Sequence, residues 1–259
     1  MRGDMFAVDG RVAIVTGAGT GIGKATSLLL AEYGADLVLA GRRAELLERT
    51  AAAVRGLGRQ ALVVATDVTD DGACAALVEA AIDTFGHVDI LVNNAGGLIT
   101  KPPDEWTAAE WHQMIDQNLS GAWFMSRHAG PRMVERGRGA IVNISSGASF
   151  LALPNVAPYG AAKAGLNSIT RSLAAAWTPK GVRVNAVACG AVQTEGYGRS
   201  TTRAEMPADF VLGPGNAIGR IGRPDEIAYP VLFFASDASS YCSGQTLWVN
   251  GGVKAPSTS

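Results

Sequence analysis

Seven short runs of apolar, largely β-branched residues recur along this chain, each followed or preceded by a stretch with helical character. The runs fall at residues 12–15, 36–40, 60–65, 90–92, 140–144, 182–187 and 246–249. They read as continuous apolar strings, not as alternations of apolar and polar residues. That pattern suits strands buried on both faces of a parallel sheet, whose two faces must each be covered. The cover comes from helical stretches at residues 21–33, 44–57, 71–85, 108–135, 158–178 and 225–235. Strand–helix alternation of this kind predicts the α/β class, with a doubly wound parallel sheet of about seven strands flanked by helices. Right-handed crossovers then align the strand C-terminal ends along one edge, where ligands bind.

The chain of 259 residues is 47% hydrophobic with an even composition, which predicts one domain over residues 1–259 and not two. Its 22 basic and 23 acidic side chains leave a net charge of -1, so nothing favours nucleic acid or an anionic membrane surface. No apolar run approaches the roughly 20 residues of a membrane helix. The first residues, MRGDMFAVDGR, lack the apolar core of a secretion signal. Cys74, Cys189 and Cys242 are too scattered for a disulfide framework, and His87, His112 and His128 show no metal-ligand spacing. These features predict a cytoplasmic protein with no metal, nucleic-acid partner or membrane association.

Residues 16–23 read TGAGTGIG, directly after one predicted strand and opening a helix. Gly17, Gly19, Gly21 and Gly23, with Ile22 among them, would let the backbone turn and approach a pyrophosphate seated on the positive helix N-terminus. Thr66, Asp67 and Val68 end the third predicted strand, where a carboxylate can accept a bond from an adenine amino group. Asn93, Asn94, Ala95 and Gly96 end the fourth, with small residues where the chain must pass close to a ribose. The fold so predicted is Rossmann-like and the ligand a dinucleotide.

Tyr159 and Lys163 lie four apart on a predicted helix and so share one face, one turn from each other. A phenol titrates near 10 and exchanges protons poorly at neutral pH unless a cation stabilises its phenolate. Lys163 is placed to do so. Tyr159 could then trade a proton with a carbonyl or alcohol oxygen while a nicotinamide carries the hydride. Two serines, Ser145 and Ser146, stand upstream in NISSG.

With these motifs in order, TGAGTGIG, Asp67-Val68, NNAG, QNLSG, NISSG, YGAAK and SGQTLWVNGG, the chain resembles the short-chain dehydrogenase/reductase family from about residue 10 to 252. The resemblance implies a catalytic tetrad of Asn118, Ser146, Tyr159 and Lys163. The family's spacing of thirteen residues to the tyrosine selects Ser146 over Ser145. It also implies that Lys163 bonds the nicotinamide ribose, that Asn118 anchors a water in a proton relay, and that Val192 and Thr194 contact the nicotinamide carboxamide and a phosphate. The family usually has proline where Cys189 stands. Its loss frees one φ angle and restores an N–H, and Cys189 itself reads as a small buried hydrophobe.

Cofactor choice is read at the end of the second strand, where an acid usually holds the ribose 2′-hydroxyl of NAD. Gly41 stands at that position and Arg42 follows, able to grip a 2′-phosphate. NADP(H) is therefore favoured, with NAD(H) as the alternative. Residues 97–99, 147–153 and 197–212 are candidates for the substrate pocket, the last within a loop region at 190–223. Leu98, Phe150, Leu151 and Leu153 favour a hydrophobic ketone or alcohol. Thr107 reads as a helix cap, and Trp106, Trp111 and Trp123 around it as core. Apolar residues on several sides of helices 108–135 and 158–178, with the family resemblance, imply a homotetramer, or a homodimer through the helices alone. Two other readings keep the fold: a reductase of an enoyl or acyl thioester, and a dinucleotide sensor without catalysis, whose signature would be a broken tetrad.

Overall fold

The computed structural model describes residues 4–195 and 216–252. Its strands are β1 (Val12–Thr16), β2 (Asp36–Gly41), β3 (Ala61–Ala65), β4 (Ile90–Asn93), β5 (Gly139–Ser146), β6 (Val182–Cys189) and β7 (Thr246–Val249). Its α-helices are α1 (Gly21–Glu32), α2 (Ala44–Gly56), α3 (Asp71–Phe85), α4 (Ala108–Ile115), α5 (Gly121–Glu135), α6 (Ala157–Trp177) and α7 (Pro224–Ala235). All seven strands join one parallel sheet in the order β3-β2-β1-β4-β5-β6-β7. The order reverses between β1 and β4, and that switch point opens a crevice at the strand C-terminal ends.

Alternate residues of each strand face opposite layers. Ala13 and Val15 of β1 pack with Leu29 and Leu30 of α1, Leu47 and Val54 of α2, and Val231 of α7. Val12 and Ile14 pack on the other side with Leu77 and Val78 of α3, Met125 and Met133 of α5, and Leu173 of α6. Both faces are thus covered, which is why the strands carry no polar alternation. Local signals set the helix ends. The Asp70 side chain accepts from Ala73 N at 3.1 Å to cap α3, and Gly86 closes that helix with φ 80°. Thr107 and Glu110 form a capping box that starts α4, as the sequence indicates.

Two expectations change. The helix expected over 108–135 is α4 and α5 joined through a π-helical turn, Asp116–Ser120, which winds in an extra residue. Apolar periodicity runs on through such a turn and gives no warning of it. Trp111 and Trp123, expected in the core, are exposed at 44% and 42%. They lie on the outer face of these helices, while the inner face is filled by Met114, Met125 and Met133. Trp106 is partly buried and donates its indole N–H to Lys101 O at 3.2 Å.

Candidate active site

The glycine turn lies at the switch point, between β1 and α1. Gly17 and Gly21 take φ of 66° and 53°, which favour glycine. A Cβ on Gly23 would stand 2.3 Å from Gly17 O, so the first turn of α1 packs directly on the loop. Thr16 and Asn94 buckle this turn to the segment after β4. The Asn94 amide donates to Thr16 O at 2.9 Å, while the Asn94 and Ala95 N–H groups donate to Thr16 Oγ1, each at 3.0 Å. Ile22 is partly buried against the core, and Gly19 lies against Leu46 of α2. At the start of α1, Gly21 N donates to the Glu195 carboxylate at 2.8 Å. An oxyanion therefore fits this N-terminus, the property a dinucleotide phosphate needs.

Glu195 and Thr194 arrive from the segment after β6, and a Cβ on Gly21 would meet Thr194 Cγ2 at 2.9 Å. Val192 is buried and bridges in parallel to Gly222, with Gln193 N donating to Gly222 O at 2.9 Å. Asp67 accepts from the N–H and hydroxyl of Thr69, at 3.0 and 2.9 Å. The Thr69 backbone bond lowers the Asp67 pKa most; the Thr69 hydroxyl and exposed Arg42 add to this against the effect of burial. Val68 is buried against Gly121, at the start of α5. Gly96 lies between Asn118 and Lys163: its Cβ would stand 2.5 Å from Asn118 Oδ1 and 3.7 Å from Lys163 Nζ.

The π turn carries Asn118 into the same place. Asn118 Nδ2 donates to Gly97 O at 2.9 Å and to Met114 O at 3.0 Å, and Gly97 N donates back to Asn118 Oδ1 at 3.3 Å. Its side chain thus clasps the backbone after β4. Ser146 ends β5, and its hydroxyl accepts from Ala148 N at 3.2 Å. Tyr159 and Lys163 lie on α6 as expected, with Nζ 5.6 Å from the centre of the phenol ring.

Burial dominates the electrostatics of the pair. Lys163 is buried and donates to Ile144 O at 2.9 Å, with its Nζ over the face of the Tyr159 ring. Burial pushes the Tyr159 phenol up to about 12; a hydrogen bond with Ser146 pulls it down and the neighbouring Cys189 pushes it up further. Burial pulls Lys163 down to about 8. Cys189 is buried, as expected, and burial raises its thiol to about 12 against the pull of Lys163.

Around this cluster, Phe150 and Leu151 are each 52% exposed, and Phe150 stacks on Trp248 with ring centres 4.6 Å apart. Residues 197–212, expected in the pocket, lie outside the described residues. Sequence reading missed Glu195 as a partner of the glycine turn and Asn167 behind Ser146. Neither has a motif; only the fold brings them there. Among the described residues no three His, Cys, Asp or Glu side chains gather as a metal site, and no helix is long and apolar enough to cross a membrane.

A glycine turn on a helix N-terminus, with a tyrosine and a lysine on the helix beside the neighbouring strand end, defines a nicotinamide-dinucleotide oxidoreductase. The chain belongs to the short-chain dehydrogenase/reductase family. The family profile described as enoyl-(acyl carrier protein) reductase matches residues 17–254. A cis-4-hydroxycyclohexanecarboxylate dehydrogenase of Sinomonas cyclohexanicum is 43% identical over 256 residues, 98% of this chain and 99% of that protein. Among solved structures, a short-chain type dehydrogenase/reductase from Mycobacterium marinum superposes with a TM-score of 0.90 at 31% identity, covering 98% of this chain and 99% of that one. A 7α-hydroxysteroid dehydrogenase complexed with NADH and 7-oxo glycochenodeoxycholic acid has a TM-score of 0.90 at 34% identity, over 98% and 99% of the two chains.

Proposed function

We propose that this protein interconverts a ketone and a secondary alcohol on a small hydrophobic molecule, with NADP(H) preferred over NAD(H). Asn118, Ser146, Tyr159 and Lys163 carry the reaction. The convergence of Ser146, Tyr159 and Lys163 beside the glycine turn is the observation that supports this most directly. A bound nicotinamide supplies the hydride acceptor or donor. Gly17, Gly19, Gly21, Ile22 and Gly23 hold its pyrophosphate, and Asp67, Val68, Asn94, Ala95 and Gly96 border its adenosine and ribose. Val192 and Thr194 close over it from the segment after β6, where Glu195 must yield Gly21 N to a phosphate. Arg42, exposed just after Gly41, which stands where NAD-binding sites carry an acid, supports the NADP(H) preference.

The chemistry of the chain follows from its own groups. Tyr159 Oη gives its proton to the ketone oxygen in reduction and takes one from the alcohol in oxidation. Ser146 Oγ bonds the same substrate oxygen and keeps it in line with the phenol. Buried Lys163 holds positive charge near the phenol, and Asn118 fixes the backbone that borders it. Phe150 and Leu151 offer apolar surface to the substrate, in keeping with relatives named for a ring hydroxyl or a hydroxysteroid. The whole chain, residues 1–259, acts as one domain in the cytoplasm, with the 190–223 region completing the pocket. It assembles as a homotetramer.

Nicotinamide absorbance at 340 nm tests the reading against cis-4-hydroxycyclohexanecarboxylate, hydroxysteroids, gluconate, cyclic ketones, and enoyl and 3-oxoacyl thioesters. The expected outcome is turnover of a hydroxyl or ketone, faster with NADP(H), and a loss of at least about a thousandfold in Tyr159→Phe with cofactor binding retained. Full activity in Tyr159→Phe would sink the proposed chemistry. Arg42→Ala is expected to erase a preference of about tenfold or more for NADP(H), the worth of one charge-assisted pair. Turnover confined to enoyl thioesters would favour the second reading, which shares its description with the matching family profile.

A further inference from the structure

Behind Ser146, α6 carries a third polar residue on its active-site face. Tyr159, Lys163 and Asn167 follow at intervals of four, one above another. Asn167 is 3% exposed, and its Nδ2 donates to Ser149 Oγ at 2.9 Å. The Ser149 hydroxyl in turn donates to Ser146 O at 2.5 Å. The backbone of Ser146 is therefore tied, through one hydroxyl, to the helix that bears Tyr159.

The segment between these points is a single tight turn, Gly147–Ser149, which follows β5 directly. Its shape sets the Ser146 side chain, because Ser146 Oγ accepts from Ala148 N inside the same turn. The turn also lies hard against α6 right beside Tyr159: a Cβ on Gly160 would stand 2.9 Å from Ala148 O. At its other end only the Asn167 amide fastens the Ser149 hydroxyl to α6 among the described hydrogen bonds.

The other half of the Asn167 amide sharpens the point. Its Oδ1 is buried and has no hydrogen-bond partner among the described residues. A buried acceptor without a partner disfavours the fold, and an apolar residue of similar size would remove the penalty. The one described side-chain bond of Asn167 is the bond to Ser149.

We propose that Asn167 is a positioning residue which, through Ser149, holds Ser146 at a fixed separation from Tyr159. The inference rests on the reading of Ser146 and Tyr159 given above. Its consequence follows from the contact that couples them: the Ser146 hydroxyl pulls the Tyr159 phenol downward against burial. Loosening the turn weakens that bond, so the phenol holds its proton to higher pH and substrate oxygen is aligned less often.

The test uses the full chain, with Asn167→Leu, Ser149→Ala, the double variant and Tyr159→Phe. Kinetics are read on whichever panel substrate the wild type turns over fastest. Phenol titration is read by NMR of tyrosine labelled at the ring carbon bearing oxygen, with Tyr159→Phe assigning the signal. Each single variant should lower kcat about tenfold, leave cofactor Kd unchanged, and move both the ascending limb of alcohol oxidation and the Tyr159 midpoint to higher pH. The double variant should be no worse than the poorer single one, since both cut the same chain. Asn167→Leu should melt at or above the wild-type temperature, while Ser149→Thr should retain activity. Wild-type kcat and an unmoved Tyr159 midpoint in Ser149→Ala would overturn the proposal, as would additive losses. Should Asn167→Leu fail to fold, Ser149→Ala decides alone. An active Tyr159→Phe condemns the reading of the site; an inactive one beside a normal Ser149→Ala condemns only the role of Asn167.

Discussion

At the scale of single residues, the site is a pair of groups driven in opposite directions by the same cause. Burial raises the Tyr159 phenol to about 12 and lowers the Lys163 ammonium to about 8. The two shifts give stability a definite pH dependence. Lys163 titrates near its usual 10.5 when unfolded and about 8 when folded, so between those values the unfolded chain binds more protons. Stability must then rise with pH through that window, until ionisation of Tyr159 above about 10 begins to oppose it. Lys163→Met lacks this term. The melting temperature of the wild type should therefore gain on that of Lys163→Met as pH climbs from 8 to 10, in scanning calorimetry; a constant gap would show that Lys163 keeps an ordinary pKa. The identity of this pair was legible from a spacing of four. Its electrostatics were not, because the bond from Lys163 to Ile144 O depends on a strand nineteen residues away in sequence.

Between elements, the joints that orient α6 are polar and buried. Asn93 of β4 donates to Asn143 Oδ1 of β5 at 2.9 Å, and Asn143 donates to Thr170 Oγ1 of α6 at the same distance. Thr170→Val keeps the shape but leaves the Asn143 N–H unpaired in the core. A loss of about 1–3 kcal/mol is expected in urea unfolding, with the slope unchanged. An unchanged midpoint would mean that the joint relaxes or admits water. Strand and helix positions were readable because apolar runs and caps are local signals, as Thr107 and Asp70 show. The π turn at Asp116–Ser120 was not, since its extra residue changes the winding without disturbing the apolar pattern. Yet that turn is what brings Asn118 against Gly97.

For the molecule as a whole, the doubly wound parallel sheet was legible from alternation alone, while its strand order and outer surface were not. Trp111, Trp123, Leu247 and Trp248 are large, apolar and exposed, and the composition could not say which tryptophans would face outward. In the proposed tetramer these two patches, on α4–α5 and on edge strand β7, are the separate contact faces. Light scattering should report four chains for the wild type and two for Trp248→Glu, while a monomeric wild type would refute the assembly. The strand order has one more consequence, for the chain as it leaves the ribosome. β1 lies inside the sheet, β2 and β3 extend one edge in turn, and β4 through β7 extend the other, so no strand is ever inserted between two already in place. The return of β4 to β1 spans the longest stretch, as in the 77 residues between Val12 and its partner Asp89. Once that slow closure is made, each later strand can dock on the edge left by its predecessor, and synthesis and folding can advance in the same direction.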